Sequence, residues 1–397
     1  MLYREMGKTG DSVSILGYGC MRFPQKNGKI DEELTDKQIM KAINNGVNYF
    51  DTAYFYHGGK SETVLGNILE SNSCREKVKI ADKLPPFLIK TTEDMEKIFE
   101  TQLVRLKTTY IDYYLIHAVS NFETWERMKN LGILEFIDKN KREGKIKYIG
   151  FSYHGNISNF KKIIDDYKWD FCQIQYNYLD EYNQAGTEGL RYASDKGLGV
   201  VIMEPLRGGK LAGKVPDKVK EIMDKSDIKR TAAEWALSWV WNHKEVVTVL
   251  SGMNDDNHIE ENIRIASNSL PDSFTEEEFK LMYNVKETYK ELMKIPCTGC
   301  GYCMPCPFGV DIPYAFSSYN SKYFFKNKRA KYQYAGFTAG IGGGSSSHAK
   351  QCKECGKCEK MCPQGILIRQ ELKKVSKEFN SPLVYFGIWL MKKIKKI

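Results

Sequence analysis

The stretch NYFDTAYFYH, residues 48–57, sets the frame for the whole chain. NYFDTA (48–53) has the aromatic and apolar character of a short buried strand. Asp51 sits at its end and Tyr56 in the loop beyond, so a carboxylate and a phenol share one edge of that strand. The same kind of apolar run recurs as SILGYG (14–19), VKIADK (78–83), IDYYLIH (111–117), IKYIGFS (146–152), FCQIQYN (171–177), GVVIME (199–204) and VVTVLSG (246–252). Helical segments lie between them. TTEDMEKIFETQLVRL (91–106), expected to open at Thr92, keeps apolar residues at 95, 98, 99, 103 and 106, an i, i+3/i+4 stripe. Gly46, Gly144 and Gly197 fit the left-handed position that ends a helix. Eight strands alternating with helices predict an α/β fold, a (β/α)8 TIM barrel. An open doubly wound sheet is the alternative, and no GxGxxG follows the first strand to favour it. Residues 1–12 read as a hairpin turned by KTGD, ahead of the first barrel strand.

Barrel active sites lie at the C-terminal ends of the strands. Asp51 ends the second strand, Tyr56 follows it, Lys83 ends the third and His117 the fourth. Their chemistry is coherent. Reducing a carbonyl with hydride needs a proton donor for the developing alkoxide. A phenol titrates near 10, and a neighbouring ammonium is expected to lower that value. Asp51 can hold Lys83 charged and in place, and His117 can hydrogen-bond and orient the carbonyl oxygen. In reverse, Tyr56 serves as the base for alcohol oxidation.

The succession FDTAYFYHGGKSETVLG, DK, DYYLIH resembles the aldo/keto reductase superfamily over roughly residues 1–270. The resemblance implies a barrel, NAD(P)H as hydride donor, and an Asp-Tyr-Lys-His tetrad at Asp51, Tyr56, Lys83 and His117. It further implies that Ser152 and Gln173 hold the nicotinamide carboxamide. The family usually follows that serine with Asn, where this chain has Tyr153-His154, and usually stacks an aromatic residue where this chain has Met203. EPLRGGKL (204–211) resembles the loop over the pyrophosphate, with Leu206, Gly208 and Lys210 as contacts. SGMNDDNHIEEN (251–262) resembles the adenosine site, with Gly252, Asn254, His258, Glu261 and Asn262 in the matching places. His258 stands where the family has an arginine for the 2′-phosphate, which leaves NAD and NADP both open. A flavin in place of the nicotinamide also stays open. His57 and His154 are each either a contact at the barrel mouth or a satisfied rim histidine. Cys20 and Cys172 read as buried small residues and Cys74 as a surface thiol.

Eight of the 11 cysteines fall in two runs near the C-terminus. CKECGKCEKMCP has the bacterial ferredoxin spacing for a [4Fe–4S] cluster, proline included, and CTGCGYCMPCP is one residue short in its last gap. In two-cluster ferredoxins the fourth cysteine of a run ligates the other cluster. One cluster is therefore expected on Cys297, Cys300, Cys303 and Cys362, and a second on Cys352, Cys355, Cys358 and Cys306. Gly299, Gly301 and Gly356 fit close approach of backbone to the clusters. The alternative is two structural zinc sites, which usually draw on separated cysteine pairs. The whole resembles the iron–sulfur subgroup of aldo/keto reductases, with a ferredoxin-type domain after the barrel. The expected division is a barrel over 1–274, a connecting helix over 275–294, a small ferredoxin-like α+β domain over 295–375, and a basic amphipathic tail over 376–397.

From residue 290 onward there are 19 Lys+Arg against 6 Asp+Glu, while the chain as a whole carries +9. Such a basic third fits an acidic ferredoxin or flavodoxin as redox partner, or simply a solvated face. No nucleic-acid motif accompanies the charge, so nucleic acid is not an expected partner. The residues at the start of the chain carry no apolar leader, and no run reaches a membrane span of roughly 18 residues, so a cytoplasmic protein is expected. SPLVYFGIWLMKKIKKI (381–397) fits an interfacial helix on anionic lipid, and equally a helix docked on protein with a lysine-rich end in water. The expected activity is oxidation and reduction of a small carbonyl or alcohol, with electrons exchanged through the clusters. An electron-carrier or redox-sensing scaffold on a non-catalytic barrel is the alternative.

Overall fold

The structure is a computed structural model whose described residues are 1–299, 301–339 and 346–379. Cys300, residues 340–345 of the GIGGGSSS stretch and the tail from residue 380 lie outside them. The chain divides into two compact units: Met1–Leu206 with Arg230–Thr275, and Arg207–Lys229 with the chain from Glu276 onward.

The first unit is a closed eight-stranded parallel barrel in sequential order. Its strands are β1 Leu16–Gly19, β2 Tyr49–Asp51, β3 Lys79–Leu84, β4 Ile111–Val119, β5 Ile146–Tyr153, β6 Phe171–Gln175, β7 Gly199–Met203 and β8 Val246–Ser251. Each pairs with the next, and β8 closes on β1 through Val249 and Leu16, Leu250 and Gly17, and Ser251 and Tyr18. Helices cover the outer face and side chains fill the inside, which is why the strands read as nearly continuous apolar runs. Helix Thr92–Leu106 buries Met95, Ile98, Phe99, Leu103 and Leu106, the predicted stripe. It opens at Thr92 as expected, and Thr91 caps it. Thr91 accepts the Asp94 N–H at 3.3 Å, and Asp94 accepts the Thr91 N–H at 3.0 Å, a reciprocal capping box.

An antiparallel hairpin of Tyr3–Glu5 and Ser12–Ser14 precedes the barrel. It sends Met6 and Val13 into the interior cluster with Tyr49, Tyr113 and Phe171. The Lys8 N–H bonds to Gly197 O at 3.1 Å, just before β7 begins. A Cβ on Gly199 would strike Met6, so glycine there lets the hairpin seat against the strand. The hairpin thus plugs the N-terminal end of the strands and leaves the C-terminal end for a site. Cys20 and Cys172 are buried as expected. Cys74 is a correction: it is fully buried against Met40 and Leu69, not a surface thiol.

The second unit holds helices Asp217–Asp224, Glu276–Leu292, Ile312–Phe324, Ala330–Thr338, Lys357–Lys360 and Ile368–Phe379. Where an α+β domain is expected, its described residues form helices and turns, with no strand among them. Local bonds mark the described parts of the runs: the Met304 N–H to Gly301 O at 2.8 Å, the Cys352 N–H to Ala349 O at 3.1 Å and the Cys362 N–H to Glu359 O at 3.2 Å. The core gathers Ile295, Val310, Phe316, Tyr334, Leu372 and Phe379. Asn320 fixes the approach to the first run: its Oδ1 accepts the Lys294 and Ile295 N–H groups at 3.1 and 3.0 Å, and its Nδ2 donates to Ile295 O at 2.6 Å. Among the described residues no helix is long and apolar enough to cross a membrane.

Candidate functional site

Asp51, Tyr56, Lys83 and His117 converge at the C-terminal ends of β2, β3 and β4. Lys83 Nζ donates to Asp51 Oδ1 and Thr52 O, each at 2.6 Å, and lies 3.4 Å from Tyr56 Oη. The Tyr56 and His117 rings meet edge to face at 6.2 Å. Asp51 Oδ2 and His117 Nδ1 are buried without a protein hydrogen-bond partner. Ala118, just past His117, takes a left-handed φ of 52° and donates its N–H to Ser152 Oγ at 2.7 Å. Ser152 therefore pins the kink that ends the run carrying His117.

The electrostatics follow from burial. Burial pulls the Lys83 ammonium down, but Asp51 and Tyr56 outweigh it and hold the amine above its ordinary value. Burial pushes the Asp51 carboxyl up against the opposing pull of Lys83. For Tyr56 burial also dominates: the phenol is raised, with Lys83 drawing it back only in part. This corrects the expectation of a lowered phenol, because desolvation of the phenolate exceeds the attraction of the ammonium. Burial, then Lys83 and His154, holds His117 well below its ordinary range, so the imidazole is neutral.

Behind this cluster lies a network that sequence reading did not find. Glu62 accepts from Arg105 at 2.7 Å and Gln102 at 3.2 Å, and Gln102 also donates to Lys83 O at 3.0 Å. Burial, then the neighbouring Glu62, keeps Asp82 well above the usual carboxylate range. Arg105 in turn bonds Tyr54 O at 3.2 Å, tying the Tyr56 loop to the strand that carries Lys83. Buried polar residues at 62 and 102, on otherwise apolar helix faces, were the available signal. Phe55 was missed as well; it stacks on His117 at 5.2 Å.

His57 is a satisfied rim histidine. It accepts the Phe23 N–H at 3.1 Å and stacks on the Phe23 ring. His154 bonds Gln184 at 3.1 Å, and burial brings it down to about 4. Gln173 Nε2 points to Met203 Sδ at 3.8 Å, and its Oε1 is buried with no partner. That orphaned acceptor fits the amide N–H of a nicotinamide carboxamide. At the expected adenosine site, Asn262 donates to Ser251 Oγ at 3.0 Å and Glu261 accepts from Thr231 at 2.6 Å. Gly252, Asn254 and His258 are exposed near the start of helix Asp256–Ala266. The expected pyrophosphate loop is divided: Leu206 belongs to the barrel unit, whereas Gly208 and Lys210 belong to the second unit. There the Lys210 amine lies 3.5 Å from Cys297 O.

Cys297, Cys303, Cys306, Cys352, Cys358 and Cys362 all pack on the core of the second unit, and Cys355 is exposed. Cys297, Cys306, Cys352, Cys355, Cys358 and Cys362 are free thiols. Burial pushes the Cys297 thiol up; Lys210 and the Gly299 N–H draw it down, and a nearby Cys362 pushes it up. Cys352 acts on Cys358 in the same way. The Glu354 N–H points at Cys352 Sγ at 3.4 Å. Gly299, Gly301 and Gly356 all have positive φ, the close-approach turns expected. Among the described residues, which omit Cys300, no three His, Cys, Asp or Glu side chains converge on one ion. Thiols gathered on one core, the Glu354 N–H aimed at Cys352 Sγ, and Cys362 near enough to act on the Cys297 thiol fit iron–sulfur ligation.

A closed barrel with reactive side chains at its C-terminal rim, joined to a thiol-rich unit, defines an oxidoreductase with an iron–sulfur domain. The chain belongs to the aldo/keto reductase family, whose model matches residues 15–280, and a 4Fe-4S dicluster domain model matches residues 296–367. The chain is similar to the uncharacterized oxidoreductase YrpG of Bacillus subtilis (strain 168), with 32% identity over 54% of this chain and 69% of that protein. It is similar to the NADH-specific methylglyoxal reductase of Escherichia coli (strain K12), with 24% identity over 68% and 94%. The solved aldo-keto reductase AKR11C1 from Bacillus halodurans, holo form, superposes with a TM-score of 0.61 at 24% identity, covering 72% of this chain and 96% of that one. At that identity the likeness shows the fold.

Proposed function

We propose that the protein interconverts a small carbonyl and its alcohol, with electrons exchanged through two [4Fe–4S] clusters and an acidic ferredoxin- or flavodoxin-like partner. The observation that carries this reading is Lys83 Nζ held 2.6 Å from Asp51 and 3.4 Å from Tyr56 Oη, beside a neutral His117. Tyr56 gives its phenolic proton to the carbonyl oxygen during reduction and takes it back during oxidation. Lys83 stabilises the phenolate left behind, and Asp51 keeps Lys83 charged. His117 orients the carbonyl oxygen against Tyr56. When bound, a nicotinamide supplies the hydride and iron–sulfur clusters carry single electrons. Ser152, Gln173 and Met203 hold the carboxamide end, Leu206 approaches the pyrophosphate, and Gly252, Asn254, His258, Glu261 and Asn262 take the adenosine. A flavin is the second candidate for the barrel, because it passes between one- and two-electron steps. Cys297, Cys300, Cys303 and Cys362 hold one cluster, and Cys352, Cys355, Cys358 and Cys306 the other. The net positive charge from residue 290 onward supports the acidic partner.

The test is carbonyl reduction by the anaerobically prepared protein with NADH or NADPH, starting with methylglyoxal and other small aldehydes. Tyr56→Phe is expected to lose turnover by about 10²–10⁴-fold. Equal rates in wild type and Tyr56→Phe would reject the catalytic reading and favour an electron-carrier barrel.

A further inference from the structure

The turn Tyr56–Gly59 holds three successive residues of positive φ: His57 at 52°, Gly58 at 65° and Gly59 at 87°. A histidine in that region is strained and persists where its surroundings fix it. One nitrogen of helix Thr92–Leu106 fixes the near side of this loop. Arg105 Nη1 donates to Tyr54 O at 3.2 Å and to Glu62 Oε2 at 2.7 Å. The guanidinium lies 4.6 Å from the Tyr54 ring centroid, and Nη1 is 3.7 Å from where a Cβ on Gly59 would stand. The other Glu62 oxygen faces the strand that carries Lys83. Oε1 accepts from Gln102 Nε2 at 3.2 Å, and the same amide donates to Lys83 O at 3.0 Å. Gln102 Oε1 accepts the Tyr114 hydroxyl at 2.7 Å, which fixes the orientation of the amide. Asp82, beside Glu62, accepts the Lys83 N–H at 2.8 Å. The fully buried Glu62 carboxylate thus has the loop of the phenol on one oxygen and the strand of the lysine on the other.

We propose that Glu62, together with Arg105, is a positioning residue that sets the distance between Tyr56 and Lys83 and thereby the rate of the proton step. This rests on the reading that Tyr56 gives and takes the proton. Tyr56 Oη and Lys83 Nζ stand 3.4 Å apart, at the outer edge of hydrogen-bonding distance, so a small further displacement removes the contact. Asp51 Oδ1 and Thr52 O hold the amine from its other side, so loss of the clamp displaces the loop and the phenol rather than the amine. In reduction the Tyr56 O–H bond breaks as the substrate O–H bond forms, and both electrons arrive as hydride. A phenol farther from the ammonium is a weaker proton donor, so the loss falls on turnover. Misplacement by about 1 Å can cost about 10²-fold, so release of the clamp should lower kcat by about 10-fold to 10²-fold and leave KM nearly unchanged.

The experiment measures carbonyl reduction with NADH or NADPH by the full-length, anaerobically prepared protein, with methylglyoxal and other small aldehydes as probes. Glu62→Gln keeps the shape of the side chain and loses the charge that holds Arg105. Its kcat should fall by about 10-fold to 10²-fold, KM should stay within about twofold, and nicotinamide binding read by fluorescence should not change. The deciding comparison is with Tyr56→Phe. Because Glu62 acts through the phenol, Glu62→Gln should take nothing further from the residual rate of Tyr56→Phe. An unchanged kcat in Glu62→Gln, an equal fall in both backgrounds, or a loss confined to KM would overturn the proposal. Arg105→Met/Glu62→Gln removes both charges and strands neither, so it carries the test if circular dichroism shows the single variant misfolded, and it should show the same dependence on Tyr56. Failure of both variants to fold would overturn the proposal, since the pair would then serve the fold alone. No turnover by the wild type, or full activity in Tyr56→Phe, would instead defeat the proton-donor reading, and the proposal with it.

Discussion

Replacing Lys83 with Met should separate the structural role of the buried ion pair from its chemical one. The Lys83 and Asp51 side chains are 0% and 4% exposed, and the lysine also satisfies Thr52 O. Removing one partner of a buried pair costs about 3–5 kcal/mol, because a charge is left without compensation. Asp51 softens this cost. Burial already pushes its carboxyl up, and without Lys83 the group goes higher still and takes a proton. A carboxyl raised in the folded state keeps its full contribution below its unfolded value, about 3.9, and loses it as pH rises through the folded value. The Lys83→Met deficit should therefore be small near pH 5 and grow toward pH 8. Lys83→Met/Asp51→Asn removes the stranded charge, so its deficit should be smaller at pH 8 and flat with pH. Turnover should not recover in the double variant. Both should lose about 10²–10⁴-fold, since Tyr56 no longer has the ammonium that offsets its burial. Guanidinium unfolding followed by tryptophan fluorescence reads the barrel, which contains Trp125, Trp169, Trp235, Trp239 and Trp241. A pH-independent deficit in Lys83→Met, or restored turnover in the double variant, would refute the reasoning.

Because burial raises Tyr56 and lowers His117, carbonyl reduction should be flat from pH 6 to 8, while alcohol oxidation should rise with pH as the phenolate becomes available. An inflection near 6.5 in a pH–rate profile for reduction would show a titrating histidine instead. Asp255 and Asp256 stand at the start of the helix expected to take the adenosine, where a 2′-phosphate would meet two carboxylates. NADH should therefore give a higher kcat/KM than NADPH, and the reverse order would contradict that placement. Cys74 should resist iodoacetamide in the native, anaerobic protein and react once unfolded, as read by peptide mass spectrometry.

The barrel was legible because strands buried on both faces leave unbroken apolar runs, and all eight runs carry strands. The convergence of Asp51, Lys83 and His117 was legible for a related reason: each lies near the end of a neighbouring strand. Burial was less accessible. The fate of Cys74 depends on Met40 and Leu69 folding over it, and the direction taken by Tyr56 depends on desolvation outweighing a visible lysine. The Glu62–Gln102–Arg105 network joins two helices and a strand across long sequence separations, which periodicity does not report. The loop after β7 shows another limit. Its glycines and lysine suit a phosphate, and that composition does not report that the Lys210 amine lies 3.5 Å from the Cys297 carbonyl oxygen. The turn-rich character of the cysteine unit was hidden because ferredoxin spacing specifies ligands and leaves the secondary structure around them open.

The central claim is that a carbonyl-reducing barrel exchanges electrons with two clusters in the same chain. The most direct measurement is EPR of the anaerobically loaded protein, carrying about eight irons and eight labile sulfides, after addition of NADH or NADPH. The account predicts a reduced-cluster signal that appears with the nicotinamide and is discharged by an acceptor ferredoxin or flavodoxin. A fully loaded protein that stays silent with both nicotinamides, with and without an aldehyde substrate, would contradict it.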